Sequence, residues 1–194
     1  MKKNRLFMTL IVILCLSLLS GCGNKLDNPL NWDLEKFTYK NQENQSFGTK
    51  NLKGKVWLAN FIFTSCQTVC PPMTANMAKL QQKAAEKKLN VDFISFSIDP
   101  GVDTPQLLTT YANKFNADFS NWNFLTGYSQ NHIEKFASEN FKTIVKKPKN
   151  NSQVIHGTRF YLIDQKGKIV KDYSGVSNVP FDDILSDIKT LNGQ

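Results

Sequence analysis

The chain alternates between apolar segments of strand length and segments with helical spacing. The segment 55–63, KVWLANFIF, is almost continuously apolar, which is typical of a strand buried on both faces. A helix is predicted over 71–89, because Met73, Met77 and Leu80 recur at helical spacing and two prolines occupy the first turn, where proline is tolerated. A buried strand followed at once by an amphipathic helix indicates an α/β protein.

The same alternation continues to the end of the chain. Before the first buried strand, short apolar pieces at 37–39 and around Phe47 flank the polar NQENQ and predict a hairpin or two edge strands. Further strands are predicted over 91–98, 122–125, 159–163 and 169–173, and further helices over 105–115 (N-cap Thr104), 129–140 and 180–191. With a cysteine pair after the first central strand, this order predicts a thioredoxin-like α/β sandwich with a mixed central sheet and an N-terminal hairpin.

The N-terminus has the pattern of an export signal. Three basic residues precede an apolar run of about 14 residues, which is shorter than the roughly 20 residues of a membrane-spanning helix. The sequence LSGC at 19–22 resembles the lipobox of bacterial lipoproteins, in which the cysteine receives a diacylglyceryl group and becomes the first mature residue. An ordinary signal peptide with a cysteine at its cleavage site is the alternative.

These features predict the organisation of the chain. We expect a signal peptide over 1–21, a tether over 22–33 that starts at a lipidated Cys22, and one domain over 34–194. Two acyl chains on one cysteine anchor a protein firmly, so we expect it at the extracytoplasmic face of a bacterial cell membrane.

Charge argues against one class of partner. The leader carries three of the 24 basic residues and none of the 16 acidic ones, which leaves a mature net charge of about +5. Almost all of this charge is lysine, and Arg159 is the only arginine after the leader. Nucleic-acid binding proteins depend on the planar arginine side chain, so a nucleic-acid function is disfavoured. The lysines predict a solvated face or proximity to anionic lipid headgroups.

The cysteines indicate a reactive site rather than a structural disulfide. Cys15 leaves with the leader and Cys22 is the predicted lipid site, so Cys66 and Cys70 are the free thiols of the mature chain. In an oxidising compartment they can pair, but a disulfide that closes so short a loop stabilises little. Both lie near the start of a predicted helix, whose exposed amides favour a thiolate. A reactive thiol pair is therefore expected.

The three-residue spacing of the cysteines permits either a disulfide or a metal ion, since thiolates bind Cu(I) and Zn(II). Of the two histidines, His132 falls in a polar helix and is predicted to be a surface residue. His156 precedes the strand predicted at 159, on a connection that passes beside the cysteine helix in thioredoxin-like sheets, and is the favoured third ligand. The alternative is a loop histidine that only packs. Iron–sulfur clusters and structural zinc sites generally need four ligands, so both are disfavoured.

Four segments together resemble the Sco (SenC) family. They are FTSCQTVCPPMTANM at 63–77, SFSIDPGVDTP at 95–105, WNFLTG at 122–127 and VIHGTRFYLIDQKGKIVKDYSG at 154–175. The combination of the Cys-x-x-x-Cys-Pro motif with a distant histidine before a Tyr-Leu-Ile-Asp strand is highly specific. Gln67 and Thr68 depart from the family pattern, since many relatives carry Pro and an acidic residue at these positions. The departure does not affect the three implied ligands.

The resemblance implies a membrane-tethered thioredoxin-fold protein that binds one copper ion. It implies copper ligation by Cys66, Cys70 and His156, and either copper delivery to, or thiol reduction at, the CuA centre in subunit II of cytochrome c oxidase. A thiol reductant protein would then be a further partner. Asp99 matches a recurrent acid of the family, with either a supporting or docking role or a helix-capping role.

Two alternatives remain open from the sequence. The first is a thiol–disulfide oxidoreductase in which Cys66 and Cys70 are the catalytic redox pair, acting on the cysteines of the oxidase subunit. The second is a thiol peroxidase. Peroxiredoxins share the general fold and place an arginine against the reactive thiol, for which Arg159 is the only candidate in the mature chain.

Overall fold

The fold is built on one six-stranded sheet. The structure, a computed structural model, describes residues 26–148 and 154–193. Its strands are β1 (Trp32–Asp33), β2 (Thr38–Lys40), β3 (Ser46–Gly48), β4 (Trp57–Ile62), β5 (Asp92–Ser97), β6 (Trp122–Leu125), β7 (Val145–Lys146), β8 (Ile155–His156), β9 (Arg159–Ile163) and β10 (Lys168–Ser174). Its helices are α1 (Cys70–Glu86), α2 (Pro105–Asn113), α3 (Gln130–Phe141) and α4 (Phe181–Leu191).

The sheet is mixed, as predicted. Its strand order is β1-β10-β9-β4-β5-β6, in which β4, β5 and β6 are parallel and β9 runs antiparallel to β4. Two further antiparallel pairs stand apart from it, the β2–β3 hairpin and the β7–β8 ribbon. The predicted α/β sandwich with an N-terminal hairpin is confirmed.

Helices cover both faces of the sheet. The crossovers β4–α1–β5 and β5–α2–β6 join parallel neighbours, so the right-handed rule places α1 and α2 on the same face. The other face is aromatic: Phe61 and Phe96 of the sheet contact Phe141 of α3, with ring centroids 5.0 and 5.9 Å away. All of β4 is buried, as its continuous apolar sequence predicts.

Local signals in the sequence set the helix boundaries. Pro71 and Pro72 lie in the first turn of α1, and the Thr104 side chain caps α2 by accepting a hydrogen bond from the Leu107 amide at 3.3 Å. In the same way the Ser129 side chain accepts from the amide of residue 132 at the start of α3. The predicted helices therefore begin within a residue or two of their predicted positions.

The structure departs from the sequence prediction at the start of the domain. The tether predicted over 22–33 ends in a strand, because Trp32 and Asp33 pair with β10 and Lys168 forms an ion pair with Asp33 at 2.8 Å. The predicted signal peptide and the predicted lipid site Cys22 lie outside the described residues. Within 26–148 and 154–193, no helix has the length and apolar character needed to cross a membrane.

Candidate metal centre

The two cysteines lie at the connection between β4 and α1. Cys66 is in the turn after the strand, where its amide donates to the Phe63 carbonyl at 3.2 Å, and Cys70 is the first residue of the helix. The Cys70 amide donates to the Cys66 sulfur at 3.3 Å. Cys66 keeps 5% of its surface exposed and Cys70 keeps none. Both are free thiols, so the structure shows the reduced pair.

Hydrogen bonding divides the pair into one thiolate and one thiol. A hydrogen bond from the Cys70 side chain, together with the backbone amides of the following turn and against the opposing effect of burial, lowers the pKa of Cys66 to about 4. The same hydrogen bond and burial raise the pKa of Cys70. At neutral pH the reduced pair therefore holds one proton, on Cys70.

This asymmetry predicts how the thiols respond to pH. We expect the ultraviolet thiolate absorbance of the reduced protein to correspond to one thiolate at neutral pH and to disappear only as the pH falls through about 4. Because the folded pKa of Cys66 is below that of an unfolded cysteine, about 8.5, the thiolate stabilises the fold most above that value, and this contribution is lost as the pH falls towards 4. A Cys66→Ala variant should show no thiolate absorbance at neutral pH, and an equal signal from it would contradict the assignment.

His156 approaches the cysteines from a distant part of the chain. It lies on β8, where it pairs with Val145 of β7. Its Nδ1 is 2.8 Å from the Gly157 carbonyl, which can only accept, so Nδ1 donates and Nε2 is the ring nitrogen that faces the thiols. Nε2 lies 3.3 Å from the sulfur of Cys70, 86 residues away in sequence. The imidazole also packs edge-to-face on Phe63 at 5.8 Å.

The structure therefore brings the three predicted ligands together. One donor atom from each of Cys66, Cys70 and His156 lies within 4.8 Å of the other two, so the three could hold one metal ion. Two sulfurs and an imidazole nitrogen suit copper, and the Nδ1 hydrogen bond is the kind of support that orients a ligating histidine. No further cysteine, histidine or carboxylate of the described residues joins this group, so the four protein ligands of a structural zinc site are not assembled.

The other candidates from the sequence lie away from this centre. His132 is exposed on α3 and its Nε2 is 2.7 Å from the Tyr39 hydroxyl. Met73 and Met77 are fully buried and fill the core. Arg159 forms an ion pair with Asp172 across the β9–β10 ladder, so the arginine of the peroxidase alternative is engaged elsewhere.

Asp99 does not cap a helix, since Thr104 caps α2. Its buried carboxylate instead forms an ion pair with the partly exposed Lys147, which follows β7 directly. Sequence reasoning missed Lys147, because a lysine in a polar stretch is normally solvated.

Sequence reasoning also missed Asp103, a buried carboxylate behind the cysteine turn. It accepts hydrogen bonds from the Thr64 hydroxyl and the Ser97 hydroxyl, both at 2.6 Å, and from the Thr64 amide. Burial raises the pKa of Asp103 against these hydrogen bonds. Thr64 lies two residues before Cys66, so Asp103 fixes the chain where it leaves β4. The only signal in the sequence is an acidic residue directly before the predicted N-cap of α2.

Comparison with known proteins identifies the family. The SCO1/SenC family model matches residues 32–192, which is most of the chain. The chain belongs to the SCO1/SenC family. A SCO1/SenC family lipoprotein from Bacillus anthracis str. Ames is 61% identical in a similarity that covers 87% of this chain and 99% of that one, with a TM-score of 0.85.

Two further solved structures of the family bear on the site. BsSco, described as a member of the Sco family of cytochrome c oxidase assembly proteins with a disulfide switch, is 50% identical over 87% of this chain and 98% of its own, with a TM-score of 0.81. ScoI from Bradyrhizobium japonicum, solved with copper bound, is 25% identical over 82% of this chain and 99% of its own, with a TM-score of 0.64. The thioredoxin-like fold and the Sco resemblance are thus confirmed.

Proposed function

We propose that this protein is a membrane-anchored copper chaperone that binds one copper ion through Cys66, Cys70 and His156 and assists assembly of the CuA centre of cytochrome c oxidase. The observation that carries the proposal is the convergence of two sulfurs and one imidazole nitrogen within 4.8 Å. The copper-bound ScoI and the description of BsSco as an oxidase assembly protein support the metal and the pathway.

The proposed location rests on the N-terminus. We propose that Cys22 carries the lipid and holds the domain at the extracytoplasmic face of the bacterial cell membrane. The lipobox-like LSGC and the description of the Bacillus anthracis relative as a lipoprotein support this anchor. The partner receiving copper would be subunit II of the oxidase.

The state of the three side chains favours metal capture. Cys66 is already a thiolate, and the Nδ1 hydrogen bond of His156 orients Nε2 towards the thiols. Of the two thiols only Cys70 still carries a proton, which it must lose when a copper ion binds. Three protein ligands also leave a coordination position at which a thiolate of the partner can bind before the ion is transferred.

The same two sulfurs make binding dependent on redox state. Oxidation of the Cys66 thiolate and the Cys70 thiol to a disulfide gives up two electrons to an oxidant of the compartment and releases one proton. Neither sulfur then remains a thiolate ligand, so copper is expelled. A thiol reductant protein reverses the step by thiol–disulfide exchange, in which its own dithiol becomes the disulfide.

A second function is favoured by the same asymmetry. A low-pKa thiolate next to a thiol is the arrangement of a thiol–disulfide oxidoreductase, with Cys66 as nucleophile and Cys70 as the resolving thiol. In this reading the protein reduces the CuA-site cysteines of subunit II and passes no metal.

The His156→Ala variant distinguishes the two functions. The substrate is the copper-free CuA domain of subunit II, supplied either with oxidised cysteines or with reduced cysteines and copper-loaded protein as the only metal source. We expect the variant to fail in copper delivery and to attack a disulfide through Cys66 at about the wild-type rate, because the hydrogen-bonding contact of the imidazole with the thiol pair is to Cys70 and not to the attacking Cys66. CuA assembly by the variant at the wild-type level would contradict the role of His156 in delivery. Failure of the copper-loaded wild type to metallate the reduced domain, with reduction of the oxidised domain intact, would exclude the chaperone and favour the reductase.

A further inference from the structure

His156 is carried by a ribbon that is not part of the central sheet. The strands β7 and β8 have two residues each and pair only with each other, Val145 with His156 and Lys146 with Ile155. Isolated two-stranded pairs are marginally stable in water. The ladder alone therefore does not explain why the imidazole lies against the thiols.

Two acidic side chains of the main body hold the end of β7. The Asp99 carboxylate lies 2.5 Å from the Lys147 ammonium group. The Glu134 carboxylate of α3 accepts hydrogen bonds from the Lys147 amide and the Lys146 ammonium group, both at 3.0 Å. Two consecutive residues, directly after the partner of His156, are thus bound to the loop after β5 and to α3.

Asp99 is also held in position by hydrogen bonds that do not involve Lys147. Its amide donates to the Ser97 hydroxyl at 3.2 Å, and its carbonyl accepts from the amides of Val102 and Asp103, both at 2.9 Å. Its carboxyl-bearing side chain is only 3% exposed. A buried carboxylate that loses its cation is strongly destabilising, so this ion pair has a strong tendency to stay closed.

The ribbon also has little freedom next to the ligand. A Cβ atom on Gly157 would lie 2.3 Å from the Thr143 hydroxyl oxygen, so the residue after His156 packs directly on the chain that enters β7. Holding β7 in place therefore also holds the backbone on either side of His156.

We propose that the Asp99–Lys147 ion pair is a latch that holds the β7–β8 ribbon, and with it His156, against the thiol pair. Glu134 is a second anchor of the same ribbon. Asp99, Lys147 and Glu134 are positioning residues, because they act on the site only through the backbone that carries the imidazole. The effect of the latch on copper binding rests on the proposed function. Its effect on the position of the ribbon can be tested without metal.

The test uses Asp99→Asn and Lys147→Met, with Lys171→Met as the matched control. Lys171 forms a half-buried ion pair with Asp187 between β10 and α4, which carry none of the three candidate ligands. In the reduced, copper-free protein we expect amide hydrogen exchange at 145–146 and 155–156 to be at least about tenfold faster in both latch variants and unchanged in the control. The Lys147→Met change should be the more severe, because it leaves a buried carboxylate unpaired, and adding Asp99→Asn to it should recover part of the loss.

Copper gives the second readout. We expect both latch variants to bind copper about 10- to 100-fold more weakly and to lose the nitrogen hyperfine signal of the imidazole while sulfur-to-copper charge transfer persists. Ribbon exchange equal to that of Lys171→Met would overturn the latch whether or not copper binds. If the wild type takes up no copper but the ribbon opens in the variants, the proposed function fails and the latch stands. Lys147 is the more exposed partner of the Asp99–Lys147 ion pair. If Asp99→Asn does not fold, the Lys147→Met variant still decides between the two outcomes.

Discussion

Replacing Cys66, Cys70 or His156 by alanine should reduce the copper affinity of the reduced protein by at least about 100-fold, more than the loss of a supporting residue around a metal. Each variant removes one of three donor atoms that lie within 4.8 Å, and nothing else among the described cysteines, histidines and carboxylates is placed to replace it. The cysteine variants should also lose most of the sulfur-to-copper charge-transfer absorption. A copper titration followed by absorption and by the nitrogen hyperfine signal measures both effects.

The second histidine provides the matched control for this titration. His132→Ala removes an exposed imidazole that contacts Tyr39 and lies on α3, so its copper binding should equal that of the wild type. The site is supported if the wild type and this control each bind one copper ion per chain and the three alanine variants of the candidate ligands lose copper binding. Undiminished binding by all of the site variants would contradict it.

Oxidation to the Cys66–Cys70 disulfide should abolish copper binding, and reduction should restore one ion per chain. The cause is chemical rather than conformational, since both sulfurs cease to be thiolates and His156 alone cannot retain the ion. The measurement is copper content after gel filtration of oxidised, reduced and re-reduced protein.

A Cys70→Ala chain, which cannot form the disulfide, is the control for oxidation. Its weaker copper binding should not change under the same mild oxidant, because it has no second thiol with which to close a disulfide. Equal copper retention by the oxidised and reduced wild type would remove redox gating from the mechanism.

The sequence predicts the main elements well, because their signals are local. The prolines at the start of α1, the Thr104 cap and the continuous apolar run of β4 each act over a few residues. The cysteine position follows from the same local order, strand then helix. His156 could be proposed only by combining donor chemistry with the predicted sheet topology, which the family resemblance then supported, since no periodic pattern marks it.

What the sequence does not predict depends on contacts between distant segments. The strands β1, β7 and β8 have two residues each, too few for any alternation to appear. The pairing of Asp99 with Lys147 spans 48 residues, and both residue types are normally solvated. The burial of Asp99 and its pairing with Lys147 are set by how α3 and the ribbon pack, which single-sequence patterns do not encode.

The unequal burial of the three candidate ligands has a consequence for how a cargo ion can leave. Both sulfurs are buried while His156 is only partly buried, so an incoming thiolate meets the imidazole side of the ion first. Ligand exchange is then ordered instead of random, and it proceeds by association before departure.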